Sequence, residues 1–334
     1  MLSSKINSIE KQSNHLWLHS LLLLVFCVGL LSSNCYASDT NTILVVLSKN
    51  SRPYQEFASA LKENAGNSES DALVNMVFIQ LGELDSDALL ANSGKDYRLV
   101  VTVGSAAVRK ILPLKLSVPI VSTLIPKRTY DVVRKKNAES ANNNTSAIFL
   151  DQPAERKFGL IRAALPDMKN VGVIVGPSTK ERVAELDAAA RNKNINLDAK
   201  KIADEDGLLD ALNELLENSE ILLTVADPAV VNRNTLQSVF MTSYMKRIPV
   251  IAYSRAYVRA GALMAVYSTP AQIGLQTGEL LMKMAQTDSW KSQQSYYPKY
   301  FSVAVNDRVA RSLGLLIKDH DQIQSAMKVM EGTQ

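Results

Sequence analysis

The sequence predicts an α/β protein made of two doubly wound parallel-sheet lobes joined by a hinge. Three observations carry that reading. Short continuous apolar runs alternate with helix-period stretches, the order expected when parallel strands are covered by helices on both faces. The alternation breaks at the polar stretch Arg134 to Thr145 and then restarts, giving two similar halves that meet around residues 145–155. The chain has 334 residues, 46% apolar and 21% charged, which suits two domains with packed cores and solvated surfaces.

In chain order, Thr42–Leu47 is an apolar run typical of a strand buried on both faces. Pro53 to Glu63 follows as a helix with Phe57, Ala60 and Leu61 on one side. Leu73–Ile79 is the second strand, Leu84–Ala91 a short helix and Leu99–Val103 the third strand, after which Gly104-Ser105 opens a helix. Pro119–Leu124 is the fourth strand, and Arg134–Thr145 reads as an exposed loop. Ser146–Leu150 is a strand; Asp151-Gln152-Pro153 then leads into a helix carrying Phe158, Ile161 and Leu165, which stops at Pro166. In the second half Val171–Val175 is a strand, and Ser178-Thr-Lys-Glu181 has the spacing of a capping box before a helix to about Arg191. Leu208, Leu212 and Leu215 mark a helix, Ile221–Val225 a strand, Leu236, Val239 and Phe240 a helix, and Pro249–Ile251 a strand. Leu263–Tyr267 is strand-like, and Thr269-Pro270 starts a long helix with proline at its first position. Tyr300–Val305 is a late strand, and helices near Arg308–Leu313 and Asp321–Met330 close the chain. The expected N-terminal lobe is 38–148 plus about 253–290, and the C-terminal lobe 149–252 plus about 291–334.

The first 37 residues read as an export signal. Lys5 and Lys11 give a positive start, Leu21–Leu31 is an apolar run too short to span a bilayer, and Cys35-Tyr36-Ala37 offers small residues for cleavage after Ala37. An uncleaved anchor reaching back to Leu16 is the alternative, but His19 and Ser20 interrupt it. Both cysteines, Cys27 and Cys35, lie in the signal, so the mature chain is expected to carry no disulfide and no thiolate nucleophile. The expected location is the periplasm, as a soluble monomer.

The composition excludes several kinds of chemistry. Past the signal His320 is the one histidine, and there is no HExxH, Walker loop or GxGxxG, so no cofactor or metal is expected. Asp204-Glu-Asp206-Gly207 lacks calcium-loop spacing and reads as helix capping. A net charge of +4 without a basic stripe argues against nucleic acid. Paired carboxylates remain conceivable, with Asp151 and Asp227 both following strands, and they define an exported hydrolase as a remote alternative.

Polar residues recur where strands end: Ser48, Ser105, Thr123, Asp151, Gln152, Asp227, and the run Tyr253, Ser254 and Arg255. Two facing sheets would gather such residues in a cleft at their carboxyl ends, where ligands bind. For any single one of them, a turn or capping role is the alternative.

Several stretches carry a family resemblance: Val101–Ala107 (VTVGSAA) with Val118–Val121, Leu165–Val175 (LPDMKNVGVIV), Ala226-Asp-Pro228, Ile248–Ser254 (IPVIAYS), Val258–Tyr267 (VRAGALMAVY) and Ile273–Gly278 (IGLQTG). In this order they resemble the substrate-binding proteins of ABC transporters, the TrpX-like group with a type I periplasmic binding fold. The resemblance covers nearly the whole mature chain. It implies a two-lobed protein that closes on a small polar, amino-acid-like ligand and docks on an ABC permease or another inner-membrane partner. It also implies that Ser105 holds a ligand carboxylate and Asp227 its ammonium. Where many members carry Thr-Asp-Pro after the fourth strand, this chain reads Leu124-Ile-Pro-Lys-Arg128. A ligand-sensing subunit for a membrane signalling receptor is the alternative on the same fold.

Overall fold

A computed structural model describes residues 41–66, 74–137, 144–287, 289–290 and 293–332. The expected export signal lies outside the described residues, as do residues 138–143 of the expected loop. No described helix is long and apolar enough to cross a membrane.

Twelve strands form two six-stranded sheets among the described residues. The first holds β1 (Thr42–Leu47), β2 (Asn75–Gln80), β3 (Leu99–Val103), β4 (Ile120–Ile125), β5 (Thr145–Phe149) and β11 (Ser295–Tyr296), in the order β11-β5-β4-β3-β1-β2. All of its pairings are parallel. The second holds β6 (Asn170–Val175), β7 (Asn196–Lys201), β8 (Ile221–Leu223), β9 (Val250–Ala252), β10 (Met264–Tyr267) and β12 (Ser302–Val305), in the order β12-β10-β9-β8-β6-β7. There β12 runs antiparallel to β10 and the rest are parallel. The central strands are buried along nearly their whole length, since helices cover both faces.

The helices follow from the same alternation. On the first sheet lie α1 (Arg52–Gly66), α2 (Ser86–Asp96), α3 (Ser105–Ile111) and α4 (Lys127–Lys136). With the second go α5 (Ala154–Ala164), α6 (Val183–Arg191), α7 (Leu208–Leu215), α8 (Leu236–Met245) and α9 (Arg255–Ala260). The long α10 (Pro270–Thr287) returns to the first sheet, where Ile273, Leu281 and Met284 join Ile43, Val45, Phe57 and Leu61 in one core. It crosses α1 so closely that a Cβ on Gly274 would lie 2.5 Å from the carbonyl oxygen of Phe57. The chain ends with α11 (Asp307–Ser312) and α12 (His320–Met330). Ile323 and Met327 of α12 are buried in a second-sheet core with Phe158 and Ile161 of α5, so this helix covers that lobe.

Three connections pass between the sheets: 150–153 from β5 to α5, 268–269 from β10 to α10, and 297–301 from β11 to β12. The sheets divide the chain differently from the sequence expectation at two points. Residues 255–267, expected in the N-terminal lobe, supply α9 and β10 of the second sheet, and β11, expected in the C-terminal lobe, edges the first. The apolar run Leu263–Tyr267 identifies a strand but not its neighbour, and pairing with β9 is a tertiary choice. The stretch expected as a loop from Arg134 is helical to Lys136, and α4, β7 and β11 have too few apolar residues to stand out.

Candidate functional site

The carboxyl ends of the first sheet's strands carry a small polar cluster. The Ser48 hydroxyl donates to the Val103 carbonyl at 2.7 Å and accepts from the Ala107 amide at 2.8 Å, tying β1 to β3 and to the start of α3. Gly104, at φ +88°, turns the chain into α3, and a Cβ there would lie 2.5 Å from the Tyr54 hydroxyl and 2.9 Å from Ser48 Oγ. Glycine is therefore required both by the backbone and by the packing. Ser105, next along, is half-buried, and its hydroxyl makes no hydrogen bond among the described residues. Thr123 is fully buried and its hydroxyl faces Thr277 of α10 at 3.3 Å, so it fastens the helix to β4 instead of facing a ligand. The following Leu124 adopts φ +51° at a register shift between β4 and β5. That left-handed backbone costs a leucine about 1 kcal/mol, the kind of strain that collects near functional sites.

The three inter-sheet connections are linked to one another by side chains. Gln152, buried, donates to Ser268 Oγ at 2.8 Å, and Ser268 donates to the Tyr300 carbonyl at 2.5 Å. Arg156 of α5 completes the junction. Its Nη1 donates to Gln152 Oε1 and to the Pro298 carbonyl, both at 2.8 Å, and its Nε and Nη2 grip the Glu331 carboxylate at 2.7 and 2.8 Å. The guanidinium also lies over the Phe301 ring at 4.4 Å. A planar fork with donors on every side suits such a junction, and a lysine could not reproduce it. Gln152 thus links two of the connections and Arg156 in this geometry.

Asp151 stands beside it with its carboxylate half-spent. Oδ2 accepts from the Lys127 amide at the start of α4 at 2.6 Å, and Oδ1 pairs with Arg182 Nη1 at 3.4 Å. One carboxylate in a connection thus touches an element of each lobe. Arg182 also donates to Glu185 through two bonds of 3.1 Å. Burial opposes ionisation of Glu185, but the Arg182 hydrogen bond and charge outweigh it and hold the carboxyl below its usual range. The same ion pair raises Arg182 against the opposing effect of burial. Tyr297 faces this group; burial first, then the Glu185 charge, raises its phenol. Lys157 of α5 is buried beside Arg182, Asp151 and Glu185; desolvation and then the Arg182 charge lower its ammonium to about 8.

Asp227 departs from the sequence expectation of an ammonium ligand. It is 1% exposed, and Oδ2 accepts from the Gly176 and Ser178 amides and the Thr179 hydroxyl at 3.1, 3.0 and 2.8 Å, while Oδ1 accepts from the Ala229 amide at 3.0 Å. Its acceptor capacity is committed to shaping the loops after β6 and β8. The expected capping box does not form: the Ser178 amide and the Thr179 hydroxyl donate to Asp227, and α6 starts at Val183 without a side-chain cap. A carboxylate so enclosed is equally ill placed for the acid–base role considered for Asp151 and Asp227.

Tyr253 donates to the Tyr257 hydroxyl at 3.0 Å, with the rings edge to face, and burial followed by that hydrogen bond raises its phenol strongly. Ser254 precedes α9 without capping it. Arg255 is exposed and lines, with Arg259 and Tyr267, a groove of about 490 Å³ closed on its other side by Arg52, Pro53 and Glu56 of the first lobe.

Of the residues named from sequence, the structure gathers Ser48 and Ser105 at one strand-end cluster and Asp151 and Gln152 at the connections, and places Arg255 on an interlobe groove. Sequence reasoning missed Arg156, Lys157, Arg182 and Ser268. A signal for Lys157 was present: positions 154, 157, 158, 161 and 165 trace one helical stripe, and a lysine interrupts it.

Comparison with known proteins adds to this geometry. Residues 42–329 match a family model described as ABC transporter substrate binding protein. An uncharacterized protein of Rickettsia prowazekii (strain Madrid E) is 24% identical over 232 residues, covering 68% of this chain and 75% of that one. A tyrosine-binding protein of Clostridioides difficile (strain R20291) is 21% identical over 194 residues, covering 57% of this chain and 55% of that protein. Among solved structures, the ligand-free, open form of a substrate-binding protein with adhesive properties from Clostridium difficile aligns with TM-score 0.65 at 15% identity, covering 84% of this chain and 97% of that one. An ABC domain in complex with L-Trp from Streptococcus pneumonia aligns with TM-score 0.52 at 14% identity, covering 85% and 97%. The fold is that of the type I periplasmic binding proteins.

Proposed function

The chain belongs to the ABC transporter substrate-binding protein family, and from that premise we propose that it is the periplasmic solute receptor of an uptake system, binding a small polar, amino-acid-like ligand between its lobes. The observation that supports this most is the junction itself: three connections bound to one another through Gln152, Ser268, Arg156 and the Tyr300 carbonyl, with polar strand ends on either side. Such a junction lets two rigid sheets rotate as bodies. A solute that touches both lobes binds the closed arrangement better and shifts the population toward it. The closed form then docks on an inner-membrane permease. Ser48 with Ser105 on one lobe, and Tyr253, Ser254 and Arg255 on the other, are the proposed walls of the site. Thr123 and Asp227, both buried and bonded, are left out.

The test is a thermal-shift screen of the exported protein against amino acids, purines, sugars and short peptides. A cognate solute at about 100 times its Kd adds about 2.7 kcal/mol of stability and compacts the protein in small-angle scattering. If no compound of these classes raises Tm, the solute-receptor reading fails.

A further inference from the structure

Four arginines far apart in the sequence meet in one groove. Arg255 and Arg259 lie four residues apart on α9, and Arg308 and Arg311 three apart on α11, so each pair shares a helix face. Both pairs line a groove of about 990 Å³ on the second lobe, which follows β12, the edge strand of that sheet. All four side chains are exposed, and none makes a hydrogen bond, an ion pair or a ring contact among the described residues. Other arginines of the chain are committed: Arg52, Arg156, Arg182 and Arg191 each pair with a carboxylate. In the groove four guanidiniums face two carboxylates, Asp307 and Asp321. Like charges paired along a helix destabilise it slightly. Nothing inside the chain offsets that repulsion here, and an anion arriving from outside does.

We propose that this groove is a docking surface for an extended acidic segment of a partner protein. The proposal goes beyond the solute-receptor reading and does not depend on it. The lining runs along β12 from Ser302 to Val305 and on to Arg308 and Arg311, a course that suits a chain more than a compact ion. Guanidiniums grip carboxylates through paired donors, which gives such a segment both orientation and affinity. Asp307 and Asp321 select among polyanions. A protein segment can set neutral residues against them, whereas a nucleic-acid strand or an anionic lipid surface presents unbroken negative charge. The groove shares Arg255, Arg259, Tyr267 and Thr269 with the interlobe groove, so a docked segment borders the gap between the lobes.

The probe is a fluorescent peptide of alternating Asp and Ser, titrated with the exported protein at low ionic strength and read by anisotropy. Beside it run the matching Asn-Ser peptide, phosphatidylglycerol vesicles and a single-stranded oligonucleotide. The Asp peptide is expected to bind about tenfold more tightly than its Asn counterpart and to weaken as salt is added. Arg255→Gln with Arg259→Gln, and separately Arg308→Gln with Arg311→Gln, should each weaken it about tenfold at unchanged Tm. Arg109→Gln with Lys110→Gln removes the same charge from an exposed basic pair on α3, outside the groove, and should leave affinity within about twofold. An equal loss in that α3 variant overturns the proposal, because net charge alone then explains binding. So does a loss confined to one arginine pair, or the failure of the Asp peptide to bind the wild type. Vesicles or oligonucleotide bound in place of the peptide, with the same dependence on the four arginines, overturn the acidic segment as the occupant.

Discussion

The replacement Asp227→Asn separates a loop-shaping carboxylate from a ligand-binding one. The carboxylate accepts four hydrogen bonds of 2.8–3.1 Å in a site that is 1% exposed. Asparagine has nearly the same shape but one acceptor oxygen. With that oxygen at the Oδ2 position, three bonds survive as neutral ones, each weaker by about 1 kcal/mol, and the amide NH2 meets the Ala229 N–H, leaving a buried donor unpaired for about 1 kcal/mol or more. The total is about 4 kcal/mol, equivalent to a fall in Tm of roughly 7 °C for a chain of this length. The assay is thermal and urea unfolding of the ligand-free protein, because a structural role acts before any solute is present. An Asp227→Asn protein that melts within about 1 °C of wild type without ligand, yet no longer responds to a solute that stabilises wild type, would refute the reasoning.

Two further outcomes follow from packing and titration. Gly274→Ala should destabilise by about 1–2 kcal/mol despite the better helix propensity of alanine, because its Cβ meets the Phe57 carbonyl at 2.5 Å; Gly159→Ala, with open space in α5, should instead gain up to about 1 kcal/mol. Urea unfolding of both variants checks this, and equal stabilities would mean that α1 and α10 are not closely packed. Lys157 titrates near 8 when folded and near 10.5 when unfolded, so between these values the unfolded chain binds the extra proton and stability rises with pH. The buried charge costs about 3 kcal/mol at neutral pH. Lys157→Met should therefore unfold later than wild type at pH 7, with the gap closing toward pH 10.5; a gap that ignores pH would mean that the lysine is not desolvated.

The site was legible only in part, for identifiable reasons. The strand-end positions of Ser48 and Ser105 were legible because each follows an apolar strand, and a strand's end fixes where its next residues lie. Thr123 and Asp227 satisfied the same rule yet turned inward, Thr123 to a hydroxyl of α10 and Asp227 to the amides of another loop. Sequence spacing does not encode those partners, which lie 154 and 51 residues away. Arg156 illustrates the reverse: it looked like one charge among many, and its importance comes from Gln152, Pro298 and Glu331 converging from three parts of the chain.

What the sequence determined by itself is the set of local units, because hydrophobic period and strand length are properties of neighbouring residues: parallel strands alternating with helices, in two halves. Tertiary structure alone decided which sheet received α9, β10 and β11, which carboxylates were consumed by loop amides, and which side chains met at the junction of the lobes. Those outcomes depend on long-range pairing and on removal from water, and neither exists until the lobes have formed.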